Sequence, residues 1–140
     1  GGADVAVTGT MTVYMKNSSD LTFTLGTSWS SIITGMTAVY TGPYTIPAGA
    51  TNIDLTLTTP FTYTGGSIYV AYDFSSAAPF ATTPATYSAS SSLSGGCVSA
   101  NNATTPPTTL GATSFRPSFR FGYPNPNTND MAVESINTLG

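Results

Sequence analysis

Strict alternation of apolar and polar side chains recurs in four segments of the chain. They are residues 10–16 (TMTVYMK), 21–25 (LTFTL), 53–58 (IDLTLT) and 67–74 (SIYVAYDF). Because successive side chains of a β-strand point to opposite faces, this period predicts half-buried antiparallel strands. In the last segment, Tyr69, Ala71 and Asp73 are predicted to point outward. The side chains predicted to point into the core are Met11, Val13, Met15, Leu21, Phe23, Leu25, Ile53, Leu55, Leu57, Ile68, Val70 and Tyr72.

Turn-forming sequences separate these segments: KNSSD, TGPY, IPAGATN and YTGGS. Apolar residues nowhere follow the 3.6-residue period of a long helix, and only residues 28–35 (SWSSIITG) predict a single helical turn. Several short strands punctuated by Gly, Pro and Asn are typical of two-sheet folds. The sequence therefore predicts an all-β protein, an antiparallel β-sandwich or jelly roll with long Ser/Thr-rich loops.

The long loops are expected within residues 75–114, which are rich in Ser, Thr and Ala with scattered Pro. A structureless loop of this length is uncommon inside a compact domain. We therefore expect ordered but irregular backbone with one or two edge strands. The lone Cys97 is placed in a loop here, as a small hydrophobe or an unpaired thiol, with pairing between chains as the alternative. The residues expected to anchor this region are Phe80, Tyr87, Leu93, Val98 and Leu110.

Two of the three cationic residues of the chain, Arg116 and Arg120, lie in residues 114–123 (SFRPSFRFGY). The segment predicts the last core strand, with both arginines on its outward face. Because Pro117 cannot donate a ladder hydrogen bond, the strand is expected to begin at a sheet edge or to be paired only after Pro117. The residues predicted to point inward are Phe115, Phe119, Phe121 and Tyr123.

The last part of the sequence is a polar spacer followed by a further alternating segment. Residues 124–129 (PNPNTN) have no apolar side chain to bury and predict a stiff, extended linker. The tetrad Asp-Met-Ala-Val at 130–133 resembles Asp-Val-Ala-Val at 4–7, as a module boundary would produce. The predicted organisation is a β-sandwich domain over 1–123, the linker, and a terminal strand over 130–140.

Three destinations are open for this terminal strand. It can join a next module, pair within its own sandwich, or leave its own core and complete a neighbouring subunit by strand addition. In the third case Met131, Val133 and Ile136 would form the assembly strand and fill an open groove of the neighbour. The predicted partners are copies of the chain itself or neighbouring modules of the same chain.

The composition excludes several functional classes. The chain has no histidine and one cysteine, which removes Ser-His and Cys-His nucleophile pairs and zinc sites. A net charge of −3 without a basic stripe argues against nucleic acid, and no apolar run reaches the ~20 residues of a membrane span. We predict a protein that is not an enzyme, has no cofactor and does not insert into membranes. Calcium, held by loop carbonyls and one Asp, stays open as a ligand.

Aromatic residues supply the rival hypothesis, a carbohydrate-binding module of a secreted multidomain protein. Trp29, Tyr40, Tyr44 and Tyr69 are the candidates for stacking against sugars, which would make surface glycans a partner. The alternative is that aromatic residues on a Thr-rich sheet pack across strands. Two glycosylation sequons begin at Asn17 and Asn102 and matter only in a host that glycosylates.

Three stretches together resemble the β-sandwich repeat modules of large secreted and cell-surface proteins of Bacteroidota. They are VYMKNSSDLTFT with SWSSIITGMTAVYTGPYTI, then IDLTLTTPFTYTGGSIYVAYDF, then SFRPSFRFGYP, and together they span most of residues 10–124. The Ser/Thr/Ala-rich region 75–114 departs from the pattern of these modules. The matching positions are Tyr14, Lys16, Asn17, Trp29, Gly35, Tyr40, Pro60, Phe61, Tyr63, Gly65, Gly66, Arg116, Pro117, Arg120, Phe121 and Gly122.

This resemblance implies an adhesin-like module exported by the type IX system, located outside the cell or on the bacterial surface. Such modules seldom have a catalytic role and are usually parts of multidomain proteins. Together with the alternating tail, the resemblance predicts an extracellular structural or adhesive module that assembles end to end. It would do so either as a tandem repeat or as a strand-donating subunit of a fibre.

Overall fold

The computed structural model describes residues 6–49, 52, 54–76, 89–101 and 107–122. The predicted all-β, antiparallel fold is confirmed, whereas the layering of its sheets into a sandwich stays a prediction. The described elements, in chain order, are β1 (Val7–Ser18), α1 (Trp29–Ile33), β2 (Thr37–Ile46), β3 (Ser67–Ser75), β4 (Ala89–Ser90), β5 (Cys97–Ser99), β6 (Gly111–Thr113) and β7 (Arg116–Pro117).

Strand β1 lies at the centre of a three-stranded sheet with the order β2-β1-β3. Nine of its residues pair with β2 and nine with β3, and both pairings are antiparallel. The predicted alternation over 10–16 and 67–74 therefore does correspond to strands. Threonine, valine and tyrosine dominate these strands, and such side chains fit a pleated, half-buried surface.

A β-bulge interrupts the pairing of β1 with β2. Val13 pairs with Tyr40 and Tyr14 pairs with Ala38, so Val39 is the extra residue. The Val39 side chain is fully buried, and its carbonyl oxygen accepts hydrogen bonds from the amides of Thr58 (2.9 Å) and Thr59 (3.1 Å). The bulge thus fastens a loop to the outer edge of β2.

The short strands form two antiparallel ladders, β4 with β7 and β5 with β6. Three of these strands, β4, β5 and β6, lie within 75–114, where one or two edge strands were expected, and Cys97 lies on β5 and not in a loop. Two backbone hydrogen bonds connect these ladders to the first half of the chain: Trp29 N to Thr108 O (3.0 Å) and Leu110 N to Thr27 O (2.8 Å). This seam joins the start of α1 to the approach to β6.

The predicted helical turn is confirmed as α1, which packs against one face of the sheet. The ring of Trp29 meets that of Tyr14 edge to face, with centroids 6.0 Å apart. Helix α1 also contributes Ile32 to the core. The described core residues with buried side chains are Met15, Ile32, Val39, Ile46 and Ala71.

Two of the predicted strands are wrong. Residues 21–25 form loop, with Leu21 91 % exposed, because the hydroxyl of Tyr69 bonds their backbone in place of a strand partner. Residues 54–58 are also loop, since the Thr58 amide bonds the bulge carbonyl, and Leu57 is exposed. Ile53 lies outside the described residues.

The predicted inward and outward sides of β3 are wrong at two positions. Tyr72, predicted inward, is exposed, whereas Ala71, predicted outward, is buried. Ala71 pairs with Tyr14, and Trp29 packs against that same face. Because α1 covers this face, a small apolar residue there is buried although the alternation marks it as polar.

Gly9 marks a close approach of β3 to β1. A Cβ atom at this position would meet the carbonyl oxygen of Ser75 and the ring of Phe74. We expect Gly9→Ala to lower the free energy of unfolding by about 1–3 kcal/mol, because the strand end must shift to admit a methyl group. Urea denaturation would measure this change.

The matched control is Gly111→Ala in β6, where the nearest atom to a new Cβ would lie at an ordinary 3.7 Å. That variant should unfold within about 0.5 kcal/mol of the parent chain. Equal effects of the two substitutions would contradict the close approach at Gly9.

Candidate functional site

The phenylalanines of the segment 115–122 are exposed against the prediction, whereas Arg120 is exposed as predicted. Phe115, Phe119 and Phe121 are 61 %, 51 % and 53 % exposed, and we call these three residues the phenylalanine face. The rings of Phe119 and Phe121 stack with centroids 6.3 Å apart and an interplanar angle of 19°. The prediction that they point into the core is therefore wrong, and the segment presents aromatic surface to solvent.

Arg116 is half-buried, although it was predicted to point outward. Its Cδ lies 2.8 Å from where a Cβ at Gly96 would be, and its Nη2 donates a hydrogen bond to Ser92 Oγ at 3.2 Å. Its Nε is buried without a hydrogen-bond partner among the residues that are described. The apolar stem of the arginine thus packs across the glycine, while the neighbouring Phe115 is exposed.

The thiol of Cys97 lies close enough to Arg116 for the positive charge of the arginine to affect the thiol pKa. Burial raises the pKa of the Cys97 thiol, against smaller opposing effects of the Val98 backbone and the Arg116 charge. The side chain is half-buried and unpaired. A neutral thiol in this position agrees with the reading of Cys97 as a small hydrophobe.

A hydrogen-bonded cluster around Asp20 fixes the loop that follows β1. The hydroxyl of Tyr69 donates to Asp20 Oδ2 at 2.7 Å, and Thr24 Oγ1 donates to the same oxygen at 2.8 Å. Ser67 Oγ donates to the Asp20 carbonyl oxygen at 2.7 Å. The hydrogen bonds from Tyr69 and then Thr24 hold the pKa of the Asp20 carboxyl below its usual value, outweighing a smaller opposing effect of desolvation.

The sugar-stacking candidates Trp29 and Tyr69 are engaged within the chain. Trp29 packs on Tyr14, and Tyr69 combines its bond to Asp20 with an edge-to-face contact to Phe23 at 5.8 Å. Tyr69 pairs with Lys16 on β1, two residues from Tyr14, so both candidates belong to the face that carries α1.

The candidates Tyr40 and Tyr44 lie on the opposite face, at the edge strand β2. The ring of Tyr40 lies within 4 Å of where a Gly42 Cβ would be, and its hydroxyl donates to Pro43 O at 2.7 Å. Burial, followed by the nearby Asp54 and Tyr40, raises the pKa of Tyr44. The four aromatic candidates therefore do not share one platform, and their role in stacking sugars stays a prediction.

A shallow depression of about 460 Å³ lies at the far end of β1. Asn17 closes one side, because its Nδ2 donates to Thr62 O at 2.9 Å and its Oδ1 accepts from the Thr64 amide at 3.1 Å. This asparagine begins a sequon, and its amide fastens the 62–64 loop. The other residues that line the depression are Ser18, Ser19, Thr64, Gly65 and Gly66.

The described part of the chain contains no group of three or more His, Cys, Asp or Glu side chains that could hold a metal ion. It also contains no helix long and apolar enough to cross a membrane. The linker 124–129 and the assembly strand 130–140, with Met131, Val133 and Ile136, lie outside the described residues, as do Tyr123 and Asn102.

Comparison with protein families, with curated proteins and with solved structures found no match for this chain. The resemblance to Bacteroidota surface modules therefore stays a prediction from the sequence.

Sequence reasoning missed the Asp20 cluster and the phenylalanine face. Asp20 ends the turn KNSSD, which marked a turn but not its long-range partner Tyr69. The phenylalanine face was assigned to the core because alternation cannot tell which of two sides is covered. The one available signal was Pro117, which weakens any strand that contains it.

The Asp20 cluster predicts a pH-dependent contribution to stability. Because the pKa of Asp20 is lower in the folded chain, its hydrogen bonds stabilise the fold above the unfolded pKa of about 3.9. That contribution is lost as the pH falls through the lowered folded pKa. Tyr69→Phe should therefore destabilise the chain at pH 7, and the gap to the parent should narrow near pH 2 in urea denaturation.

Tyr63→Phe is the matched control, because the Tyr63 hydroxyl donates to a backbone oxygen, Gly66 O, at 2.7 Å. Its effect should be the same at both pH values. A Tyr69→Phe gap that does not change with pH would contradict the charge-assisted bond to Asp20.

Proposed function

We propose that this chain is an extracellular structural or adhesive module that assembles end to end, as a tandem repeat or as a strand-donating fibre subunit. The observation that carries the proposal is the double pairing of β1. Tension applied along β1 would load the hydrogen bonds to both β2 and β3 in shear, so many bonds would resist together. A strand held on both sides suits a module that must transmit force.

The surface chemistry supports an extracellular structural role. Only 6 % of the residues are charged, and threonines line both β1 and β2. Side chains of these two strands also hydrogen-bond to each other, as Thr8 Oγ1 and Thr45 Oγ1 do at 2.8 Å.

The terminal segment supplies the joint. In the proposal, Met131, Val133 and Ile136 form a strand that leaves the 1–123 domain through the linker 124–129. It then enters a following module of the same chain or a neighbouring subunit. Main-chain hydrogen bonds would provide affinity, and the alternate side chains would provide register.

One observation favours the carbohydrate-binding alternative. Tyr40 and Tyr44 share one face of an edge strand, with the carboxylate of Asp54 close enough to affect Tyr44. An aromatic surface beside a hydrogen-bond acceptor suits a sugar ring. Tyr40 also covers Gly42 and donates to its own strand, so the same geometry serves strand packing.

The two forms of end-to-end assembly are separated by comparing residues 1–140 with a chain that ends at Pro126. If the strand is donated, the full chain polymerises in light scattering after size exclusion. The shortened chain then stays monomeric, melts about 5–10 °C lower and is rescued by a peptide of residues 129–140. If the strand joins a next module, both chains are monomeric with equal Tm.

A shortened chain that melts lower, stays monomeric and gains nothing from the peptide would contradict the joint, because the tail would then belong to its own core. Binding of the full chain to one glycan class on an array, abolished by Tyr44→Ala, would contradict a purely structural role and favour the alternative.

A further inference from the structure

The exposed aromatic surface at residues 119–121 is a candidate binding surface. Phe119 and Phe121 are about half exposed, while the charged Arg116 in the same segment is half-buried. Exposed apolar patches of this kind mark interaction sites in soluble proteins, and aromatic side chains supply much of the binding energy at interfaces.

The stacking of Phe119 on Phe121 defines the shape of this surface. The two rings lie on one side of the chain, 6.3 Å apart, which is the spacing of residues i and i+2 in an extended segment. Arg120, between them in the sequence, is exposed. The segment therefore presents a pair of aromatic rings together with a guanidinium charge.

Residues 130–136 of the same sequence have the complementary pattern. Met131 and Val133 occupy odd positions, whereas the even positions hold the carboxylates Asp130 and Glu134 together with the apolar Ala132 and Ile136. The phenylalanine segment has apolar odd positions and Arg120 at the even one. Two of the chain's three cations and two of its six acids thus lie in these two segments.

Building on the proposed function, we propose that the phenylalanine face of one copy is the docking surface for residues 130–136 of a neighbouring copy. Met131 and Val133 cover the rings of Phe119 and Phe121, while Glu134 meets Arg120 and Asp130 adds to the negative charge of the strand. Methionine suits this position, because its thioether sulfur makes favourable contacts with aromatic rings. Side-by-side extended segments bring like positions to the same side, as this pairing requires.

The linker favours a neighbouring copy over the same chain. Nine residues lie between Phe121 and Met131, and residues 124–129, predicted as a stiff, extended linker, contain two prolines. Such a linker would carry residues 130–136 away from the phenylalanine face of their own chain. The chemistry of the partner is therefore a second copy of this chain, presenting an acidic and apolar strand.

A charge exchange on the full chain tests the pairing. Arg120→Glu and Glu134→Arg should each weaken the association of copies in sedimentation velocity about fivefold or more, and the double variant should restore it. Asp73→Arg changes the net charge as Glu134→Arg does, on an exposed residue of β3, and should leave association unchanged. Failure of the double variant to restore association would overturn the pairing.

The contribution of the phenylalanine rings to association is tested by a double serine variant and a matched control. Phe119→Ser with Phe121→Ser should weaken association at least about tenfold. Leu21→Ser removes an apolar side chain that is 91 % exposed at another surface and should have no effect. Near-ultraviolet circular dichroism checks that each variant keeps its tertiary packing.

A photo-crosslinking residue in place of Val133 locates the contact. The full chain is prepared in ¹⁴N and ¹⁵N forms and the two are mixed, so that the mass of a crosslinked peptide pair shows whether it joins two copies. Crosslinks to residues 115–121 that join a light to a heavy copy support the proposal. Crosslinks to 115–121 within one copy overturn it, as do crosslinks to another strand in copies that still assemble. In that last case end-to-end assembly stands while this docking surface falls.

A full chain that stays monomeric at every concentration also overturns the docking surface. That result leaves the tandem form of the proposed function intact, because a following module in the same chain would then take the terminal strand.

Discussion

The structure depends on the antiparallel pairing of β1 with a neighbour on each side. Ladders of nine residue pairs bind this strand to β2 and to β3, and the offset between them lets all twelve residues take part. Several other parts of the described chain are fastened to this unit. The bulge at Val39 holds the 58–59 loop, Tyr69 on β3 holds Asp20, and Tyr14 on β1 receives Trp29. Because β1 is hydrogen-bonded along both of its edges, it is well placed to carry tension.

The second half of the described chain is attached by fewer bonds. Two short ladders and the seam between Thr27–Trp29 and Thr108–Leu110 replace the long pairing of the first half. In this part of the chain the stem of Arg116 packs across Gly96, while Phe115, Phe119 and Phe121 are exposed. The segment therefore presents aromatic surface close to the end of the described chain.

Local sequence pattern was sufficient for some elements and insufficient for others. Alternation found the strands at 10–16 and 67–74, and residues 28–35 indicated the helical turn, because these elements depend on period and on neighbours in the sequence. The same alternation failed at 21–25, where partners more than forty residues away decide the backbone. It also failed at Ala71 and Phe119, because which side of a segment is covered depends on what packs there. The sugar-stacking candidates separated onto two faces for the same reason.

The central claim is that β1 transmits force through a module joined end to end. It is tested most directly by single-molecule force spectroscopy on a chain of identical modules, pulled through the N-terminal side of β1 and the C-terminal side of residue 122. The account predicts one cooperative, high-force rupture for each module, because the ladders to β2 and β3 are sheared together. Gradual extension at low force, with β1 peeling away one pair at a time, would contradict it.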